Sequence, residues 1–319
     1  MILATAASLA QLAAVAQLAR RGTGYTQAMG LRAGALLCLL AAAFQQPQIE
    51  RLLARASEEA EIFRQRAVNM IARETLRQRA LRQPPRLRPR AGKAAFEPPP
   101  LEYRTREIVS EYTYGVLSDS PHTLHEFRRV IRVDGREVAP PAEARRRLIA
   151  GMHDPDDRVK LRLLEEFARY CLRGAATDLA PALLLFTPRR IGDHRFEVAG
   201  KARAGAEAAL VLRFRQASGP SGFTVFEGRT MTRQPVEGEL WVREADGLPL
   251  RVVLTSKRQQ GDQMLLDQAT VEYAPGPQGV LAPLSVLRRV HAADLLLEED
   301  VYQYSPFRMF TADAEIKFP

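Results

Sequence analysis

The sequence predicts an α+β fold: one large, curved antiparallel sheet, a half-barrel, with helices in or against its concave face and a long helix ahead of it. Three observations predict it. From about residue 195 to the C-terminus the chain repeats one theme, apolar alternation, a turn, apolar alternation again. Helical patterns are confined to earlier stretches, so helices do not alternate with strands as they would around a parallel sheet. The plainest unit is Gly238 to Leu254, GELWVREADGLPLRVVL. There Leu240 and Val242 share one side of a strand, and Glu239, Trp241 and Arg243 share the other. Asp246-Gly247 supplies the turn, since Gly takes a positive φ without strain and Asp bonds its own backbone. Pro249 opens the return strand, where its missing N–H matters least, and Leu250, Val252 and Leu254 resume the apolar side.

In chain order, residues 29–43, MGLRAGALLCLLAAA, carry a positive start at Arg32, an apolar run and a small-residue end, the pattern of a secretory signal peptide. The run is short for a bilayer span. Residues 1–28 have two readings: an upstream stretch preceding a true start at Met29, or a weakly hydrophobic membrane segment flanked by Arg20 and Arg21. Residues 48–82 contain neither Gly nor Pro, and Ile49, Leu53, Ala56, Ala60, Phe63, Ala67 and Met70 follow four- and three-residue steps. That spacing predicts one helix, either packed on its own domain or offering its seam to a partner helix or membrane surface. Residues 83–100 read as a basic, Pro-rich linker, which places the half-barrel domain at 101–319.

Within that domain, strands are expected at Tyr103–Tyr114 and Leu124–Val133, with Asp134-Gly135 as a turn. A helix is expected at Ala142–Gly151, and a second is expected to begin at Asp154 with Pro155 in its first turn. Thr177-Asp178 is expected to cap a short apolar helix, Leu179–Phe186. Strands follow near 195–203, 206–216, 222–228, 264–273, 281–290, 298–304 and 307–318. In the last of these Phe310, Ala312, Ala314, Ile316 and Phe318 share a face.

The formal charge is +9, and of 46 basic residues only five are Lys. Most Arg stand within a residue or two of an acid or on the polar side of a strand, and clustered basic residues interleaved with aromatics are missing. The charge reads as solvated surface, with no nucleic-acid partner. Cys38 lies in the segment expected to be removed, leaving Cys171 alone, so neither a disulfide nor a thiolate metal site follows. His122 and His125 are three apart, on opposite sides if that segment is a strand. Asp154, Asp156 and Asp157 are explained by helix capping, and Glu298-Glu299-Asp300 reads as a surface run. Ser221, in GPSGF, lacks the spacing of a nucleophile elbow. No phosphate loop or dinucleotide fingerprint is present. The expectation is a non-enzyme without metal or cofactor.

The strand-turn-strand with Trp241, Asp246, Gly247, Leu248, Pro249, Leu250 and Arg251, together with YSPFRMF at Tyr304–Phe310, resembles the outer-membrane lipoprotein-sorting proteins of the LolA/LolB type over roughly residues 100–319. The resemblance implies a half-barrel in the cell envelope, periplasmic or secreted, with lipid, an acyl chain or an acylated protein as its apolar ligand. It directs attention to Trp241 and Arg251 near the ligand-bearing face. The long helix, basic linker and extra helical pair depart from that pattern. Two functional readings therefore stand: a carrier of an apolar ligand, and a module that binds or senses an envelope protein partner through the same half-barrel and the N-terminal helix. An open apolar cavity would favour the first and a filled interior the second.

Overall fold

The computed structural model describes residues 49–82, 100–173, 175–219, 222–227, 230–260 and 262–310. Compact units divide the chain at Met1–Arg51 and Leu52–Pro319, and the second holds the sheet. Helix α1 runs over 49–66 and tightens into a 3-10 turn, Ala67–Asn69. The strands that follow are β1 (Met70–Leu81), β2 (Tyr103–Gly115), β3 (His125–Val133) and β4 (Arg136–Glu137). Next come α2 (Pro141–His153), α3 (Asp157–Tyr170) and β5 (Ala175–Asp178), then a 3-10 helix, Ala180–Phe186. The remainder is β6 (His194–Ala204), β7 (Glu207–Gln216), β8 (Phe223–Glu227), β9 (Thr230–Gln234), β10 (Glu237–Arg243), β11 (Pro249–Gln260), β12 (Gln263–Pro275), β13 (Leu281–Ala292), β14 (Leu295–Tyr304) and β15 (Arg308–Met309).

Among the described residues twelve strands form one antiparallel sheet in the order β4-β3-β2-β1-β14-β13-β12-β11-β10-β7-β6, with β15 added to β1. The two ends, β4 and β6, do not pair, so the sheet is a half-barrel rather than a closed barrel. β5, β8 and β9 make a separate small sheet.

The alternation of the opening hairpin is realised. Leu240, Val242, Val252 and Leu254 are fully buried, while Trp241 and Arg251 stand opposite each other on the other side. Gly247 has φ +76° and its N–H donates to Arg243 O, while Asp246 accepts from Leu248 N at 3.1 Å. A Cβ at Gly247 would lie 3.1 Å from the Leu52 side chain, so the turn sits close against α1.

Three local expectations are corrected. The helix expected over 48–82 ends at 66, and its C-terminal third is strand β1, paired along its length with β2 and along much of it with β14. The half-barrel therefore begins before residue 101, and β1 lies in its middle. The misreading has a physical cause: ETLRQRAL is rich in good helix formers, and the inward positions of β1 include Glu74 and Gln78, which hide the alternation. Second, α3 is capped by Asp156, whose side chain accepts from Arg158 N, whereas Asp154 turns inward to Asp156 N. Third, Thr177 and Asp178 end β5 and do not cap the 180–186 helix, whose N-cap is Leu179. β9 was not anticipated. Residues 1–28, the 29–43 segment, nearly all of the 83–100 linker, Ser221 and the 311–318 alternation lie outside the described residues.

Candidate functional site

The sheet has one covered and one open face. On the covered face Tyr112, Tyr114, Tyr304 and Phe307 pack together with Phe63 of α1, whose ring meets Tyr114 edge-on at 5.4 Å. The seam of α1 (Ala56, Ala60, Phe63, Ala67) is fully buried here, so the helix packs on its own domain. Farther along, all seven residues of Ala180–Phe186 are buried, with Phe186 edge-on to Phe214 at 5.2 Å. Polar contacts fix this segment from both sides. Leu183 N donates to Tyr273 Oη at 3.0 Å, Tyr273 Oη donates to Ala180 O at 2.8 Å, and Ala180 N donates to Glu126 at 2.8 Å. The hollow left between Leu254 and Pro181, Leu184 and Leu185 is about 20 Å³, scarcely room for one water. Helix α2 packs instead on the other face, against Val109 and Ile131.

The covered face also holds two arginine-centred clusters that the sequence did not reveal. Arg128 lies under Phe167, with its guanidinium carbon 4.7 Å from the ring centre, and forks onto Glu74 at 2.7 and 2.9 Å while also bonding Glu126. Arg288 forks onto Asp267 at 3.0 and 2.7 Å and reaches Glu298 and Asp300. Asp300 takes a further bond from Gln78 of β1 at 2.9 Å. Burial first, and then the neighbouring acids, push Glu126 up to about 7 against the pull of Arg128. Burial and then Asp300 push Glu298 up to about 7 against Arg288. Glu298 and Asp300 are thus interior groups and not the surface run expected. Only Glu299 of the three points outward, to Arg289.

Ser120, His125 and Asp178 form a third buried array. Ser120 Oγ lies 2.8 Å from His125 Nε2, and His125 Nδ1 lies 2.7 Å from Asp178. The second oxygen of Asp178 accepts from Glu126 N at 2.9 Å. A hydroxyl, a base and an orienting carboxylate, which no spacing in the sequence pointed to, are therefore assembled. Backbone groups next to the hydroxyl are committed within the turn. Ser120 N donates to Leu117 O, Thr123 N donates to Ser120 O, and residue 121 is a proline without an N–H. Ser120 also donates to Asp119 and is only 7% exposed. The array clamps the 117–124 turn onto β5. His122, three residues before His125, is exposed and points elsewhere. Among the described residues no group of three or more His, Cys, Asp or Glu is placed to hold a metal ion.

On the open face a groove of about 970 Å³ runs from edge strand β6 to β12. It is lined by Arg195, Glu197, Arg213, Arg215, Glu239 and Val253, among others. Its charges are largely paired in the sheet, Arg213 with Glu197 and Arg215 with Glu237. Trp241 and Arg251 adjoin its end, one step along the strands from Glu239 and Val253. The Arg251 guanidinium lies 4.4 Å over the indole and bonds Glu272 at 2.6 Å, and the indole N–H donates to Glu239 at 2.9 Å. The structure puts both residues on the open face, opposite the side buried by Leu240 and Val252. The reason is the strand period: they alternate with Leu240 and Val252, which face the core.

Fold and surfaces together define an α+β open half-barrel with a filled apolar side and a polar grooved side. No family model matches the chain, and no curated protein matches it in sequence. Among solved structures it is similar to a domain assigned to outer membrane lipoprotein sorting from Vibrio parahaemolyticus, at 13% identity and TM-score 0.35, covering 82% of this chain and 93% of that one. It is also similar to a LolA superfamily protein from Nitrosomonas europaea, at 12% identity and TM-score 0.30, covering 83% and 96%. A DUF1329 family protein from Desulfovibrio piger gives 11% identity and TM-score 0.35, covering 83% and 95%.

Proposed function

We propose that the chain is a non-catalytic binding protein of the cell envelope that engages a partner polypeptide on its open face rather than carrying an acyl chain inside the sheet. The filled interior carries this reading. For an acyl chain to enter, the 180–186 segment must leave. Re-exposing its three leucines and Phe186 costs roughly 6–12 kcal/mol at about 1.5–3 kcal/mol per side chain. Burying a chain of palmitate length returns about 11 kcal/mol at ~0.8 kcal/mol per CH₂. The lost bonds at Ala180, Leu183 and Tyr273 add about 1 kcal/mol each to the cost, so the exchange is close to balanced and the segment competes with an acyl chain for the same space. The open groove offers what an extended polypeptide uses: the unpaired edge of β6, alternating charges, and the Trp241–Arg251 pair at one end. The envelope location is supported by the signal-like 29–43 stretch. Among the described residues no helix is long and apolar enough to cross a membrane.

The test is native mass spectrometry of the full chain purified from its own envelope, followed by lipid extraction. The reading predicts the bare chain or a polypeptide complex with no acyl lipid. A lipid retained at one per chain would overturn it and restore the carrier.

A further inference from the structure

A second hollow, of about 810 Å³, opens between α1, the turn at 118–123 and the segment 187–193. Its cations are Arg64, Arg189, Arg190 and Arg233, with His122 on the rim. Arg64 is spent, held by both oxygens of Glu61. Arg189 is exposed. Arg190 and Arg233 differ from both. Arg233 gives one N–H to Thr123 Oγ1 at 2.9 Å, which leaves most of its fork unused. Arg190 is half-buried, and among the described residues its guanidinium makes no hydrogen bond or ion pair, although it lines the hollow beside Arg233. Burial, with Arg233 adding to it, holds the Arg190 guanidinium below the ordinary arginine range, and Asp193 opposes this in part. The other acids of the wall are occupied: Glu61 by Arg64 and Gln65, and Asp119 by Ser120. The buried Arg128 and Arg288 and the half-buried Arg251 are each held by carboxylates. Arg190 and Arg233 line one hollow, and among the described residues neither guanidinium is hydrogen-bonded to a carboxylate, which suits the pair to an anion.

We propose that this hollow binds a tetrahedral oxyanion of the phosphate class, gripped between Arg190 and Arg233, with His122 in reach as a further donor. Two guanidiniums lining one hollow offer more N–H groups than one carboxylate can accept, and a phosphate has the oxygens to engage both forks. The Ser120–His125–Asp178 clamp acquires a use here, because it fixes the turn that carries Thr123 and His122. Free phosphate and a phosphorylated lipid headgroup present the same chemistry. The site is independent of the open-face groove, so either reading can fail without the other.

The test is the thermal unfolding of the full chain in inorganic phosphate, compared with chloride at matched ionic strength. At phosphate tenfold above its Kd the midpoint should rise by about 2–4 °C. The rise should vanish in Arg190→Gln and in Arg233→Gln and persist in Arg77→Gln, whose exposed partner is Glu107. Arg233 is exposed, so its variant remains informative even if the Arg190 variant folds poorly. An equal rise in chloride, or a rise that survives in Arg233→Gln, overturns the site. Flotation with phosphatidylglycerol vesicles, against phosphatidylcholine alone, separates the sources. Co-flotation lost in Arg233→Gln assigns a headgroup, and a phosphate-specific rise without co-flotation assigns the free anion.

Discussion

Replacing Glu298 by Gln should flatten the fall of stability with pH. The Glu298 side chain is 9% exposed, lies 3.4 Å from Arg288 and shares that arginine with Asp300 and Asp267. Burial and Asp300 raise it from an ordinary 4.5 to about 7. Between about pH 4.5 and 7 the folded chain therefore keeps a proton that the unfolded chain has released. Stability from this group is greatest at the acid end, falls as pH rises through that window, and is level above it. The whole displacement corresponds to roughly 3 kcal/mol. Burial raises Asp300 as well, and its charge acts on Glu298, so the fall assigned to Glu298 alone should be about 1–3 kcal/mol. Urea unfolding at about pH 5 and pH 8 measures it. The wild type should lose more stability between the two than Glu298→Gln does, by that margin, and Glu126 contributes equally to both chains. Identical pH dependence in the two proteins would refute the buried placement of Glu298.

Leu240→Ala should cost about 2–5 kcal/mol, whereas Trp241→Ala, one residue away on the open face, should cost no more than about 1 kcal/mol. Equal losses by chemical denaturation would contradict the assignment of faces. Ser120→Ala should destabilise by about 1–3 kcal/mol, because it removes the buried bond between Ser120 Oγ and His125 Nε2. A fluorophosphonate probe should leave Ser120 unlabelled in the wild type, and labelling would turn the clamp into a nucleophile. Limited proteolysis should cut within the basic, Pro-rich 83–100 stretch, yet the two fragments should travel together on size exclusion, because β1 is paired with both β2 and β14. Separation of the fragments would remove β1 from the sheet.

The parts legible in the sequence share a property: their inward side is apolar. In the hairpin Leu240, Val242, Val252 and Leu254 alternate into the core, and turn chemistry at Asp246-Gly247 closes it, so pattern and structure coincide. Where the interior is polar, the pattern fails. In β1 the inward Glu74 and Gln78 break the alternation, and their partners, Arg128 and Asp300, lie 54 and 222 residues away. No local window contains both members of such a pair, so Glu298 and Asp300 look like surface acids and β1 looks like a helix. The Ser120–His125–Asp178 array and the Arg190–Arg233 pair are hidden for the same reason: spacing along the chain carries no record of contacts made across the fold. A cue for β1 existed in the length of the segment, since 35 residues without a cap or stop signal exceed an ordinary globular helix.

The claim that the chain's own 180–186 segment permanently fills the covered face is tested most directly by hydrogen exchange. The amides of Ala180 and Leu183, bonded to Glu126 and Tyr273, should exchange only with global unfolding, and added palmitate should leave them unchanged. Exchange through a smaller local opening, accelerated when palmitate is present, would contradict the account and identify the segment as a gate.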